Sequence, residues 1–411
     1  MVDNLNSLKG TSESSLSLPI SMATPPKKKE PIQKVTGGML EAVHRFGISL
    51  TAILPFSTRS ILFNIIAAPI RIPIRLIQSA GPGFSQKMKK YMAQDWNQGV
   101  KIFYTDLEAN LASKDPKVKK RAQEVIKENS LYMNYAYPNE KPGGFNEKDG
   151  VIINTKLDGQ IKDNKIPENH KKILNEKILP KFAELGFKCD AQGNYYDTKT
   201  GTIFNLVYNQ DKKEIVLFFQ GMGHHENLKP YGNVKDIKEK VGAECFKAAG
   251  ADWSGGIPPS SRQAIEIGRI LKDATDKTDM TPVVSGHSHG GGLAQIAAAS
   301  YGHKAVVFNS RPIGASTLRY MRHFFSVTEN AEKITIFSGK GDWLSGSKCV
   351  NALAAAFERL IGIPVPRSVG NHCYHLPRLS AEDYGQDKEK NGLFNHCCFD
   401  KAYELLEKQI A

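Results

Sequence analysis

Gly286-His287-Ser288-His289-Gly290 is the only G-x-S-x-G in the chain. A serine hydroxyl is a weak nucleophile until a neighbouring base takes its proton. It must also project where a carbonyl carbon can reach it. A sharp strand-to-helix turn gives that exposure, and the flanking glycines leave room where a side chain would clash. The surroundings fit. Val283 and Val284 read as strand before the pentapeptide, and Leu293, Ala294, Ile296, Ala297 and Ala298 read as helix after it. A helix starting there aims N–H groups, unclaimed by the helical ladder, at the oxyanion formed when serine attacks a carbonyl. Gly291 and Gly292 let that helix approach the sheet closely. The chemistry implied is acyl transfer through a covalent acyl-enzyme.

The stretch Gly286-His287-Ser288-His289-Gly290-Gly291-Gly292-Leu293-Ala294 resembles the G-H-S-L-G-G-A-L-A elbow of the class 3 lipases. Upstream, Ile203 to Gly221 resembles that family's hairpin and the buried strand running into its F-R-G-T segment, here Phe219-Gln220-Gly221-Met222. The resemblance covers roughly residues 190–411. His289 stands where the family usually has Leu, Gln220 where it has Arg, and Met222 where it has Thr or Ser. The resemblance implies an α/β-hydrolase that cleaves acylglycerols or phospholipids. It also implies an oxyanion hole made by the backbone N–H groups of Met222 and His289. Met222 offers no side-chain hydroxyl there.

The serine needs a base, and the base needs an acid to orient it. On this kind of elbow the acid and then the histidine follow the serine in chain order. Asp342 follows the predicted strand Ile334–Phe337 through Gly339-Lys340-Gly341. It therefore leaves the carboxyl end of a parallel strand, where ligand chemistry gathers in open α/β sheets. Three later histidines compete for the base: His372, His375 and His396. His396 follows the polar loop 383–391 and precedes a predicted terminal helix, Phe399–Ile410. That layout resembles the class 3 arrangement, so His396 is the candidate base and His372 the alternative. His372 and His375 otherwise read as polar side chains flanking an edge strand. A zinc site could draw on His372, Cys373, His375, His396, Cys397 and Cys398, all good ligand types. Their spacing fits no standard pattern, and adjacent Cys397 and Cys398 do not easily face one ion. His224-His225-Glu226 lacks the H-E-x-x-H continuation. No metal and no organic cofactor is expected.

The elements that must hold these residues alternate between strand and helix. Tyr195-Tyr196 and Thr202–Tyr208 read as a hairpin around Asp197–Gly201. Glu214–Phe219 is a continuous apolar run, as in a strand buried on both faces. Thr281–Ser285, Lys304–Phe308 and Lys333–Phe337 look similar, with helical patterns at Ser261–Thr275 and Gly291–Ser300 between them. A further helix is predicted over Asn169–Leu185. The expected fold is α/β and α/β-hydrolase-like. Its sheet is largely parallel and flanked by helices, and a helical, apolar and basic N-terminal extension precedes it. The division expected is a disordered tail at 1–35, a helical membrane-associating region at 36–130 and the lipase-like domain at 131–411.

The 411 residues carry 55 Lys+Arg against 42 Asp+Glu, a net +13. Residues 1–100 hold 12 Lys/Arg and 5 Asp/Glu, so +7 of it lies there. An excess of this size suits an anionic partner, a membrane surface or a nucleic acid. Residues 46–58 and 60–70 carry no charge, and Arg71, Arg75, Lys87, Lys89 and Lys90 follow. Neither run reaches the roughly 18 residues of a spanning helix, and Pro55, Pro69 and Pro73 interrupt them. Apolar runs flanked by cations fit an interfacial segment, so residues 39–90 are expected to meet an anionic membrane. No basic stripe interleaved with aromatics marks a nucleic-acid site. The six cysteines are too sparse for a disulfide scaffold, and no secretion signal is read at Met1–Pro19. A cytoplasmic or peripheral-membrane location is expected, with export lacking a cleaved signal as the variant.

The function read from all this is cleavage of lipid acyl esters at a membrane surface through Ser288, Asp342 and His396. Two alternatives keep the fold: an acyltransferase, or a hydrolase of sterol esters or thioesters. A third is an inactive membrane-binding interaction protein.

Overall fold

Among the described residues ten strands carry the fold: β1 (Phe103–Asp106), β2 (Val151–Ile152), β3 (Lys188–Cys189), β4 (Asn194–Asp197), β5 (Thr202–Asn209), β6 (Glu214–Phe219), β7 (Thr281–His287), β8 (Lys304–Phe308), β9 (Ile334–Gly339) and β10 (His372–Leu376). The computed structural model describes residues 103–136, 150–153, 160–161, 163–190, 193–221, 243–245, 247–248, 250–252, 256–340, 342, 368–379, 396 and 399–410. The sheet order is β1-β10-β9-β8-β7-β6-β5-β4-β3, with β2 beside β5 off that path. Strands β6 to β10 run parallel in sequence order, and β1 joins β10 in parallel at one edge. Antiparallel β5, β4 and β3 extend the other side.

The strand sequences explain the layering. Side chains alternate across a pleated strand. Leu206, Tyr208, Ile215, Leu217, Phe219, Val284 and Val307 enter one core. Val207, Val216, Phe218, Val283, Val306, Phe308 and Phe337 enter the other. Helices Pro259–Thr275 and Ser288–Tyr301 cover the first face, and Pro116–Asn134 and Phe399–Lys408 cover the second. Both faces are therefore dry, which is why β6 reads as an unbroken apolar run. The result is a mixed, mainly parallel sheet flanked by helices, as expected.

Three readings of the sequence need correction or completion. The boundary expected at residue 130 falls inside helix Pro116–Asn134. Asp115 caps that helix by accepting from the Lys117 N–H at 2.8 Å, and Pro116 suits its first turn. Its face Ala122, Val125, Ile126, Tyr132 and Met133 is buried in the second core. The Tyr132 hydroxyl donates to Glu214 at the start of β6, 2.9 Å away, and accepts from Lys304 Nζ at 2.6 Å. Residues 103–130 thus pack with the sheet. Second, β10 is not the edge. The unforeseen strand β1 covers it, pairing Phe103 with His372 and Asp106 with His375. Third, the helix expected over Asn169–Leu185 contains a π-helical turn, Leu174–Ile178, before Leu179–Glu184. Pro180 has no N–H, and its ring clashes with the carbonyl four residues back in a regular helix, so a widened turn accommodates it.

The expected tail at 1–35 and the apolar and basic stretch 39–90 lie outside the described residues. Among the described residues no helix is long and apolar enough to cross a membrane.

Candidate active site

Strand β7 ends at His287 and the helix Ser288–Tyr301 begins on the next residue. Ser288 itself makes the turn, with φ at +56°. A non-glycine residue held there costs about 1–3 kcal/mol and persists only where its surroundings over-determine it. The surroundings are tight. A Cβ at Gly286 would lie 2.6 Å from the Gly290 carbonyl oxygen, so only glycine admits this crossing. A Cβ at Gly221, just beyond β6, would come within 2.8 Å of Ser288 Cβ. The backbone leaving β6 therefore runs directly against the nucleophile.

Asp342 leaves β9 through a turn closed by its N–H on the Gly339 carbonyl at 3.0 Å. Lys340, between them, is held away by Asp106 at 2.8 Å and Glu108 at 2.9 Å. Burial opposes its charge, but those two carboxylates outweigh burial and raise its pKa. His396 precedes the terminal helix, as expected, and its ring completes the line. His396 Nε2 lies 2.7 Å from Ser288 Oγ. Its Nδ1 lies 3.0 and 3.1 Å from the two Asp342 carboxylate oxygens. The Asp342 side chain is fully buried and that of His396 is 7% exposed. With Nδ1–H donating to Asp342, Nε2 faces the serine as an acceptor. That tautomer can take the hydroxyl proton.

The residues read as nucleophile, acid and base are thus brought together. His372 is not: it is exposed on β10, stacked on Phe103 with centroids 5.8 Å apart, while His396 occupies the position beside Ser288. Within β10 the His372 Cα pairs with Phe103 on one side and Thr335 on the other, and its ring lies on Phe103. His375 stacks on Tyr104 at 5.7 Å, and burial lowers its pKa. Cys373 is a buried thiol whose pKa burial pushes up to about 12, which disfavours the thiolate a zinc ion needs. Among the described residues no group of three or more His, Cys, Asp or Glu is arranged for a metal ion. Cys397, Cys398 and His224–Glu226 lie outside the described residues.

Of the two expected oxyanion donors, Met222 also lies outside the described residues. His289 is in the first turn of its helix, where N–H groups are not consumed by the helical ladder. Its ring is buried and its Nδ1 accepts from Arg311 Nε at 2.9 Å. Arg311 forms a buried ion pair with Asp252, and Thr317 donates to the same carboxylate at 3.1 Å. The Arg311 backbone N–H donates to the Ser288 carbonyl at 2.9 Å. No sequence motif marks Arg311, Asp252 or Asn309 as part of a site. The local signal at Asn309 and Arg311 is the Asn309-Ser310-Arg311-Pro312 segment at the exit of β8; Asp252 has no such signal.

The strand order, the elbow and the line of Ser288, His396 and Asp342 together make the fold α/β-hydrolase-like. Residues 255–387 match the Tle-like phospholipase domain of the Phospholipase-like family, a span that includes Ser288 and Asp342 and ends before His396. Among solved structures, the chain is similar to a mutant form of MDLA from Penicillium cyclopium. Identity is 14% and the TM-score 0.30, over 62% of this chain and 81% of that one. It is also similar to lipase II from Rhizopus niveus, at 15% identity and TM-score 0.24, over 37% and 57%. A triacylglycerol lipase from Penicillium expansum is similar at 17% and 0.23, over 44% and 66%. No curated protein sequence matches the chain.

Proposed function

We propose that this chain is a serine hydrolase that cleaves acyl esters of lipids, with Ser288 as nucleophile, His396 as general base and acid, and Asp342 as its orienting acid. The unbroken line from Ser288 Oγ through His396 to Asp342 carries the reading. Ser288 Oγ attacks the ester carbonyl while His396 Nε2 takes its proton. Negative charge builds on the carbonyl oxygen, where backbone N–H groups at Met222 and His289 receive it. The ester C–O bond breaks as His396 returns the proton to the departing alcohol. Water then attacks the acyl-enzyme by the same proton route, releasing the fatty acid and regenerating Ser288. Asp342 orients the imidazole and steadies the transient imidazolium.

The match to a phospholipase domain supports a phospholipid as substrate. The net +13 and the apolar, basic stretch 39–90 support action at an anionic membrane surface. Purified protein incubated with phosphatidylglycerol vesicles should release fatty acid, and Ser288→Ala should lower the rate at least a thousand-fold while keeping its circular dichroism. Ester cleavage by Ser288→Ala at the wild-type rate would refute the assignment. Flotation with the same vesicles should fail when residues 39–90 are deleted.

A further inference from the structure

The imidazole of His396 is aimed by its own backbone, and that backbone is gripped from two sides. Its carbonyl oxygen accepts from Asn309 Nδ2 at 2.8 Å and from His287 Nε2 at 2.9 Å. A carbonyl oxygen has two lone pairs, and both are used. The donors come from the ends of adjacent strands, β8 and β7. His287 is the residue before Ser288, and its ring is stacked on Phe399 with centroids 4.4 Å apart. Its hydrogen bond therefore sets how far the His396 backbone stands from the nucleophile.

Asn309 sets the other distance. It leaves β8 with φ at +41°, a left-handed conformation that Asn tolerates better than most residues. Its backbone N–H donates to the Phe337 carbonyl at 2.7 Å, fixing it against β9. Its side-chain Oδ1 accepts from the Gly339 N–H at 2.7 Å. Gly339 in turn accepts from the Asp342 N–H. One amide side chain thus spans from the turn that carries the acid to the backbone that carries the base. Two residues on, the Arg311 N–H holds the Ser288 carbonyl. The short exit of β8 touches the support of every member of the triad.

We infer that Asn309 is a positioning residue: its side-chain amide, with His287, fixes the His396 imidazole between Ser288 and Asp342. The inference rests on the hydrolase reading above. It predicts that the amide acts on the chemical step and leaves substrate binding alone, because none of these bonds faces a substrate. Misplacing a reacting group by about 1 Å can cost a hundred-fold in rate.

Asn309→Gly keeps the left-handed backbone and removes both amide bonds. Its kcat on a soluble short-chain ester should fall about ten- to a hundred-fold with KM within two-fold of wild type. Labelling of Ser288 by a fluorophosphonate should slow in proportion. Asn309→Asp has nearly the same shape and keeps the acceptor for Gly339, but sets a carboxylate against the His396 carbonyl. It should lose at least as much kcat, and it serves as the decisive variant if the glycine variant does not fold. Ser288→Ala is run alongside. If Ser288→Ala is inactive and either folded Asn309 variant turns over at the wild-type kcat, the positioning role is overturned and the hydrolase reading stands. A rise in KM with unchanged kcat would overturn it equally. If Ser288→Ala is active, the hydrolase reading itself fails.

Discussion

The ion pair behind the elbow offers a sharp quantitative test. The Asp252 and Arg311 side chains are 1% and 5% exposed. Arg311 divides its donors among Asp252, the His289 ring at 2.9 Å and the Pro312 carbonyl at 3.1 Å. Its Nη2 has no partner among the described residues. Asp252→Leu removes the one carboxylate paired with this guanidinium among the described residues and leaves a cation buried. Breaking one side of such a pair costs about 3–5 kcal/mol, because the charge left behind has lost both water and partner. That is a large share of the roughly 5–15 kcal/mol that stabilises a typical protein. Arg311→Met should cost a similar amount by stranding the carboxylate, less the Thr317 bond at 3.1 Å that still serves it. The double variant Asp252→Leu/Arg311→Met removes both charges and retains apolar volume, so it should sit within about 2 kcal/mol of wild type. Urea unfolding followed by fluorescence gives all four free energies, and the cycle should return a coupling of about 3 kcal/mol or more. The double variant should nevertheless hydrolyse esters more slowly than wild type, because the His289 ring loses the donor that orients it. Single costs that simply add in the double variant would refute the reasoning.

Three further outcomes follow from the packing. Burial lowers the pKa of His303 to about 4 from the usual 6.5, with its Nε2 on the Gly268 carbonyl at 2.8 Å. The unfolded chain binds the proton first, so this site's contribution is intact above about pH 6.5. It falls by about 3 kcal/mol between pH 6.5 and 4, and His303→Gln should flatten that part of the stability–pH curve. Tyr132→Phe removes the hydroxyl between Glu214 and Lys304 and should cost about 1–3 kcal/mol in urea unfolding without changing KM. Gly221→Ala places a methyl 2.8 Å from Ser288 Cβ and 3.0 Å from His287 Nδ1. Overpacking there should cost about 1–3 kcal/mol, and kcat should fall more than for an alanine placed at the exposed helix glycine Gly250.

The local parts of the site were the legible parts. Gly-His-Ser-His-Gly between Val284 and Leu293 carries its own geometry, because five adjacent residues decide a turn. Asp342 and His396 could be read from chain order and from the elements beside them. Asn309 could not. Its importance comes from Gly339 and His396, 30 and 87 residues away, and nothing local reports such contacts. The Asp252–Arg311 pair is hidden for the same reason. Strand β1 is four residues, Phe-Tyr-Thr-Asp, too short to show a period, and its partner β10 is met only near the other end of the chain. The misplaced boundary at residue 130 has a different cause. The lysines of helix Pro116–Asn134 dominate its sequence, whereas Val125, Ile126, Tyr132 and Met133 decide where it packs.

The docking of the terminal helix also gives the protein a clock. Ser288 is made 108 residues before His396, which at about 5–20 residues per second of synthesis means a lag of roughly 5–20 s. During that interval the elbow and the acid can exist, but the base cannot. His396 reaches them only when Phe399 settles on His287 and Phe308, and Tyr403 donates to the Ile126 carbonyl across the second core. On the proposed assignment, the base therefore joins the nucleophile only once this helix has packed. If Ser288 is the nucleophile proposed above, a nascent or partly unravelled chain carries it unarmed, and ester turnover would double as a report that this helix has docked on the sheet.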